Sequence, residues 1–201
     1  MKKWWVISAL AIGALSLTFS CNYSGDLLSE EDRQYYTNLG QSTVQKSAGT
    51  LMHHLSNALA EGGVEHAIPF CQVNADSIVS SLSDAEGIIS VRRTTTKYRN
   101  KKNKATERDK NIFKVYEYGQ KRGDSLKPIL QTDPDAQEVL YYSPIMIKEA
   151  CLQCHGNKDN GYTRENFDII NQFYPKDKAF NYNLGDMRGM WVVKMRVRAS
   201  E

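Results

Sequence analysis

The chain reads as an α+β domain in which long N-terminal helices precede an antiparallel β-sheet. Two observations predict this: between residues 44 and 82 apolar side chains recur every three or four positions, and from Gly87 onward the period changes and three separate segments read as strands. A third is size. With 201 residues, 41% apolar and 24% charged, the chain suits one compact domain and is a poor match for a disordered protein or a multi-domain enzyme.

The first residues stand apart. Met1-Lys2-Lys3 is a short cationic start, and Trp4 to Phe19 carries no formal charge but is shorter than the ~20 apolar residues of a membrane span. The stretch ends in Thr18-Phe19-Ser20-Cys21, with a small residue before the cysteine, as in a bacterial lipoprotein processing site where the cysteine becomes the lipidated N-terminus. A plain signal peptide cut near Cys21 and an uncleaved anchor are the alternatives. All three place residues 22–201 outside the cytoplasm, on the periplasmic or outer-surface side of the cell envelope. The division is a leader over 1–21, ending in lipidated Cys21, and a single domain over 22–201.

Ser29-Glu30-Glu31-Asp32 is a capped helix start, with a side-chain acceptor and acidic residues in the first turn. Val44, Ala48, Leu51, Leu55 and Ala58 then mark one face of a long helix that Gly62-Gly63 ends. A second helix carries Val64, Ala67 or Ile68, Cys71, Ala75, Ile78 and Leu82 on one stripe, which turns Cys71 inward, and Pro69 inside it should bend the chain beside that cysteine. Residues 88–98 are rich in β-branched side chains and read as a strand, followed by the basic loop 99–104. Thr106 to Gln120 looks helical, with Ile112, Val115, Tyr116 and Gly119 facing inward. Val139 to Lys148 is a second strand and Gly189 to Arg198 a third, where Trp191, Val193, Met195 and Val197 alternate with Val192, Lys194, Arg196 and Arg198.

The net charge is +3, and +1 without Lys2 and Lys3, which with an export signal excludes a nucleic-acid partner. The informative residues are the cysteines: Cys21, Cys71, Cys151 and Cys154. Cys151-Leu152-Gln153-Cys154-His155 is a CxxCH segment, the attachment signature of c-type haem. Two thiols three residues apart reach the two vinyl groups of one porphyrin edge, and the adjacent imidazole takes the iron. A thioredoxin-type CxxC leaves His155 unexplained, and a zinc knuckle needs a fourth ligand beside a strained Cys154-His155 pair. His155 is then the metal ligand on one side.

The sixth ligand has several candidates: His53, His54, His66, Cys71, Met52, Met146, Met187, Met190 and Met195. Of these, Met52 reads as core filler, Met195 as strand core, His66 as exposed, and Met187 and Met190 as flanking a loop. If Cys21 carries lipid and Cys151 and Cys154 carry haem, Cys71 is an unpaired thiol in an oxidising compartment; it is a ligand or a small buried hydrophobe.

Several segments occur in a fixed order: Ala67-Ile68-Pro69-Phe70-Cys71, Arg92-Arg93-Thr94-Thr95-Thr96-Lys97-Tyr98-Arg99-Asn100 and Tyr142-Ser143-Pro144-Ile145. After them come Cys151 to Gly156, Tyr174-Pro175-Lys176-Asp177 and Gly185-Asp186-Met187-Arg188-Gly189. Over residues 29–198 this set resembles the family of small exported single-haem c-type proteins with a PAS-like fold. The resemblance implies a PAS-like antiparallel sheet and one covalent haem c per chain, bound through Cys151 and Cys154, with His155 and Cys71 on the iron. Where that family often has Arg-Asn-Pro-x-Asn, this chain has Arg99-Asn100-Lys101-Lys102-Asn103; Arg99 and Asn100 would suit the haem propionates, the alternative being a solvated basic loop. The function implied is redox or small-ligand (NO or CO) sensing through a displaceable Cys71. A single-haem electron-transfer cytochrome of the envelope is the alternative, and an enzyme such as a peroxidase is not expected. The partners implied are a lipid membrane, through N-terminal acylation, and a redox or signalling protein.

Overall fold

The computed structural model describes residues 28–80, 87–133 and 135–198, so the leader, Cys21 and Leu82 lie outside the described residues. Its first element, α1 (Glu30–Ser80), starts as the sequence predicts: Ser29 Oγ accepts the backbone N–H of Asp32 at 3.0 Å. The only non-helical dihedrals inside it are at Gly62 and at Gly63, whose φ of 61° and ψ of −154° suit glycine alone. The two arms fold back on each other there, since the rings of His54 and Phe70 stack 6.2 Å apart across the turn. A continuous helix would hold those residues roughly 24 Å apart at 1.5 Å per residue. The predicted end at Gly62-Gly63 is thus a hairpin tip, and the predicted bend at Pro69 produces no break. Gly63→Ala places a Cβ in the left-handed region, and we expect a loss of about 1–3 kcal/mol, seen as a lower urea midpoint at unchanged slope.

The hairpin lies on a four-stranded antiparallel sheet of β1 (Ile88–Thr94), β2 (Ile129–Asp133), β3 (Glu138–Met146) and β4 (Met187–Arg196), in spatial order β1-β4-β3-β2. The α+β class and the antiparallel sheet are as predicted. Tyr36 and Val79, one from each arm, pack with Val91, Val139, Tyr141, Trp191, Val193 and Met195. The approach is close: a Cβ on Gly40 would come within 2.4 Å of the Tyr141 ring. The opposite face, which the β4 alternation marked as outward, is also covered, because α2 (Glu107–Lys121) sets Ile112, Phe113 and Tyr116 against Leu140, Tyr142, Met190 and Val192. Val115, predicted inward, is 56% exposed, since the helix instead turns the 109, 112, 113 and 116 stripe to the sheet.

β1 stops at Thr94 instead of 98. Thr95 sends its backbone bonds to Asn103 and Ala105, which pulls the chain off the sheet into the loop 95–105. Pro144 sits in β3 beyond the last pair with β2, Ile129↔Tyr142, where its missing N–H faces no neighbour. Met187 and Met190 belong to β4, Met190 fully buried, and Met52 is 47% exposed where core was predicted. Two elements were not foreseen: β2, and α4 (Arg164–Phe173), which packs on the second hairpin arm.

Candidate functional site

The Cys-x-x-Cys-His segment forms a tight turn followed by a single helical turn, α3 (Leu152–His155). Gly156 closes it: its N–H donates to Leu152 O at 2.8 Å, and a Cβ there would come within 2.6 Å of that same oxygen. Cys151 packs with Ile147, Leu152 and Tyr182, whereas Cys154 packs with Ile68, Tyr162 and Ile170. Ile68 lies one helical turn before Cys71, so the second hairpin arm and the CxxCH turn share one apolar cluster. Cys71 and Cys154 lie within electrostatic reach of each other. All three described cysteines are free and half-buried. The structure therefore brings Cys71, Cys151, Cys154 and His155 into one region.

His155 is oriented by a single bond. Its Nδ1 stands 2.7 Å from the carbonyl oxygen of Ala179, an acceptor only, so Nδ1 carries the hydrogen. Burial, with the charges of Arg188, Arg99 and Arg93, holds the imidazole well below its ordinary value and therefore neutral at pH 7. A neutral ring with its proton on Nδ1 presents a bare Nε2 lone pair, the form that ligates a metal. Tyr182 packs edge-on against the ring at 6.4 Å. Burial pushes the Cys71 and Cys154 thiols up, with the positive charges of Arg93 and Arg99 opposing at Cys71.

Arg99 and Asn100 lie beside this region in structural roles. The Arg99 guanidinium is 11% exposed; it donates through Nε to Asp177 at 3.0 Å and through Nη2 to the carbonyl oxygen of Cys154. It braces the CxxCH turn from beneath. Asn100 accepts the backbone N–H of Lys102 at 3.0 Å, capping the turn Lys101–Asn103, and reaches Asp76 at 3.4 Å. His66 is exposed, as predicted, and stands 3.1 Å from Glu61.

Sequence reasoning missed Arg93, Lys97, Asp177, Tyr182 and Arg188 as site residues. Arg93 and Arg188 flank His155 electrostatically, and Arg93 also faces Cys71. Strand alternation was the available signal: Arg92 points to α2 and Asp109, so Arg93 had to point to the hairpin and Cys71.

A helical hairpin on an antiparallel sheet, with a third cysteine near a CxxCH turn whose histidine is held neutral, defines an α+β domain that gathers three free thiols and one imidazole into one region. The chain belongs to the Tll0287-like family, whose sequence pattern matches residues 27–196. The resemblance read from the ordered segments holds at that level. Its fold is similar to the crystal structure of the cyanobacterial heme-protein Tll0287, with 21% identity and a TM-score of 0.60 over 87% of this chain and 100% of that one. No curated protein matches the chain.

Proposed function

We propose that the protein carries one covalently attached haem c in the cell envelope, tethered by lipid on Cys21, and senses redox state or a small ligand such as NO or CO. The observation that carries this reading is His155: neutral, with Nδ1 committed to Ala179, and next in the chain to Cys154, whose apolar cluster includes Ile68, one helical turn before Cys71. The residues fit the group. Cys151 and Cys154 are free for thioether formation, and Arg188, whose charge reaches His155, has a buried Nε with no acceptor. A haem bound there supplies a one-electron iron couple and a coordination position that a diatomic ligand can occupy.

The chain's own residues divide the work. His155 is the fixed ligand, because Ala179 and the Arg99–Asp177 pair hold its turn. Cys71 is the displaceable one: it rides on a separate element, the helical hairpin, and burial keeps the disengaged side chain a protonated, neutral thiol. Visible and EPR spectra of oxidised and reduced holoprotein, wild type beside Cys71→Ala, test this. We expect the variant to lose the low-spin oxidised signature while keeping its haem through acid-acetone extraction; identical spectra would remove Cys71 from the iron. Loss of acyl labelling in Cys21→Ser checks the tether.

One observation favours a second reading, an electron-transfer cytochrome. Cys151 and Gln153 are only half-buried, so the attachment turn lies near the surface where a redox partner could approach. Reversible one-electron cycling with both ligands retained would support it over sensing.

A further inference from the structure

Charge is distributed unevenly between the two ends of the sheet. Three loops meet at the CxxCH turn, 95–105, 147–163 and 174–186. Arg99 staples them, since it lies in the first, donates to Cys154 O in the second and pairs with Asp177 in the third. On these loops Lys101, Lys102, Lys148, Lys158, Lys176 and Lys178 are all exposed, and none forms an ion pair among the described residues. The exposed carboxylates beside them are Glu149, Asp159 and, at the start of α4, Glu165. The remaining charges at this end are answered locally. Asp177 pairs with Arg99, Arg164 with Asp168, Lys104 is within electrostatic reach of Glu107, and Lys97 shares a crevice with Glu117 and Asp186.

The opposite end, where α1 begins and β4 finishes, is different. Tyr36 Oη there accepts the N–H of Arg198 at 2.7 Å, and cations meet carboxylates: Arg198 and Asp32 at 2.6 Å, Arg33 and Glu30 at 3.9 Å, Lys194 and Glu138 at 2.9 Å. The ends are separated by β4, Met187–Arg196, about 30 Å for a strand of that length. A lipid on Cys21 is seven residues before Leu28, a reach of at most about 25 Å. That is shorter than β4, so the tether keeps the α1 end toward the bilayer and turns the lysine-bearing end away from it. Unpaired surface lysines project an attractive potential for anions over roughly 8–10 Å of physiological salt solution, far enough to steer an approaching partner.

We propose that these six lysines dock a soluble protein that presents a carboxylate-rich face to the attachment turn. The proposal rests on the haem and tether reading above and gives the partner in that reading a chemistry: acidic, and approaching from the side away from the membrane.

The test places the full-length lipidated holoprotein in phosphatidylcholine vesicles and follows the binding of soluble, fluorescent polyglutamate by anisotropy. Wild type is expected to bind with an affinity that falls as salt rises. The triple variant Lys101→Glu, Lys102→Glu, Lys176→Glu should bind about tenfold more weakly, and Arg196→Glu, at the tether end, as wild type does. Equal binding in wild type and the triple variant overturns the proposal. If that variant does not accumulate, glutamine at the same three positions decides it, with weaker binding expected. Phosphatidylglycerol added to the vesicles separates protein from lipid: undiminished polyglutamate binding supports a protein partner, and its loss puts the lysines on the bilayer and overturns the proposal. Bound polyglutamate should also slow oxidation of the reduced haem by ferricyanide, which takes one electron and becomes ferrocyanide; an unchanged rate puts the docking face away from the site and overturns the proposal too. Polyglutamate binding needs no haem, so purified protein that binds it without carrying covalent haem overturns the haem reading and leaves the docking face standing.

Discussion

Asp109→Ala lowers the stability of the domain by about 3 kcal/mol, a fall in melting temperature of roughly 6–12 °C for a protein of this size. Asp109 is 0% exposed and satisfies four donors at once. Arg92 holds it through Nη1 at 3.0 Å and Nη2 at 2.8 Å, Thr94 Oγ1 donates at 3.0 Å, and the backbone N–H of Thr106 at 2.9 Å. The last contact is half of a capping box, since Thr106 Oγ1 accepts the Asp109 N–H in return. Alanine leaves the Thr106 cap in place but removes the reciprocal half of the box, so that the Thr106 N–H, a buried hydroxyl and a cation lose their acceptor. The same network sets a pH dependence. Burial works to raise the Asp109 carboxyl, but the Arg92 hydrogen bonds, the Thr106 N–H and the Arg92 charge outweigh it and hold it below its ordinary value. A carboxyl lowered in the folded state stabilises fully above about pH 4 and loses that contribution as pH falls through its folded value. Urea midpoints measured from neutral into acid should therefore decline in wild type and decline less in Asp109→Ala.

Asp177→Ala is expected to cost about 3–5 kcal/mol, because it leaves the Arg99 guanidinium buried without its counter-charge. Asp177 is 8% exposed and does more than pair. Its Oδ1 accepts the backbone N–H of Ala179 at 2.7 Å, and Ala179 supplies the carbonyl that orients His155. Loss of Asp177 thus loosens the Arg99 brace on Cys154 and the acceptor for the imidazole together. Chemical denaturation measures the first effect. The fraction of chains carrying covalent haem, under the proposed function, measures the second and should fall with it. Asp177→Asn keeps an acceptor for Ala179 and should retain more attachment than alanine does. Equal attachment in wild type and Asp177→Ala would show that the His155 turn sets itself without this support.

Much of the architecture was legible because periodicity and punctuation are local. Ser29, Gly62-Gly63 and the alternation along β4 mark their elements within a few residues of sequence. β2 escaped because Ile129–Asp133 is a short edge strand, half-buried throughout and without alternation. α4 carries Thr163 as cap and Phe167, Ile170 and Phe173 at helical spacing, a signal that was present and passed over between two motif segments. At the site, CxxCH and Cys71 could be found from residue chemistry alone. What could not be read was the pairing of charges: whether Arg99 meets Asp177, and Arg188 meets Thr95 and the Lys97 carbonyl, depends on which loops meet across 78 residues or more, and local sequence does not encode that.

The position of β4 has a consequence for how the molecule is assembled. The last strand of the chain lies in the middle of the sheet, paired with β1 on one side and β3 on the other, and β1 has no other strand neighbour. Until residues 187–196 are available, β1 has no strand partner and the apolar face of the hairpin packs on an incomplete surface. Closing β1 against β4 joins segments about a hundred residues apart, a slow, non-local step. The amino-terminal half therefore cannot complete its packing as it is made, and in a nascent chain the sheet stays open until residues 187–196 have arrived.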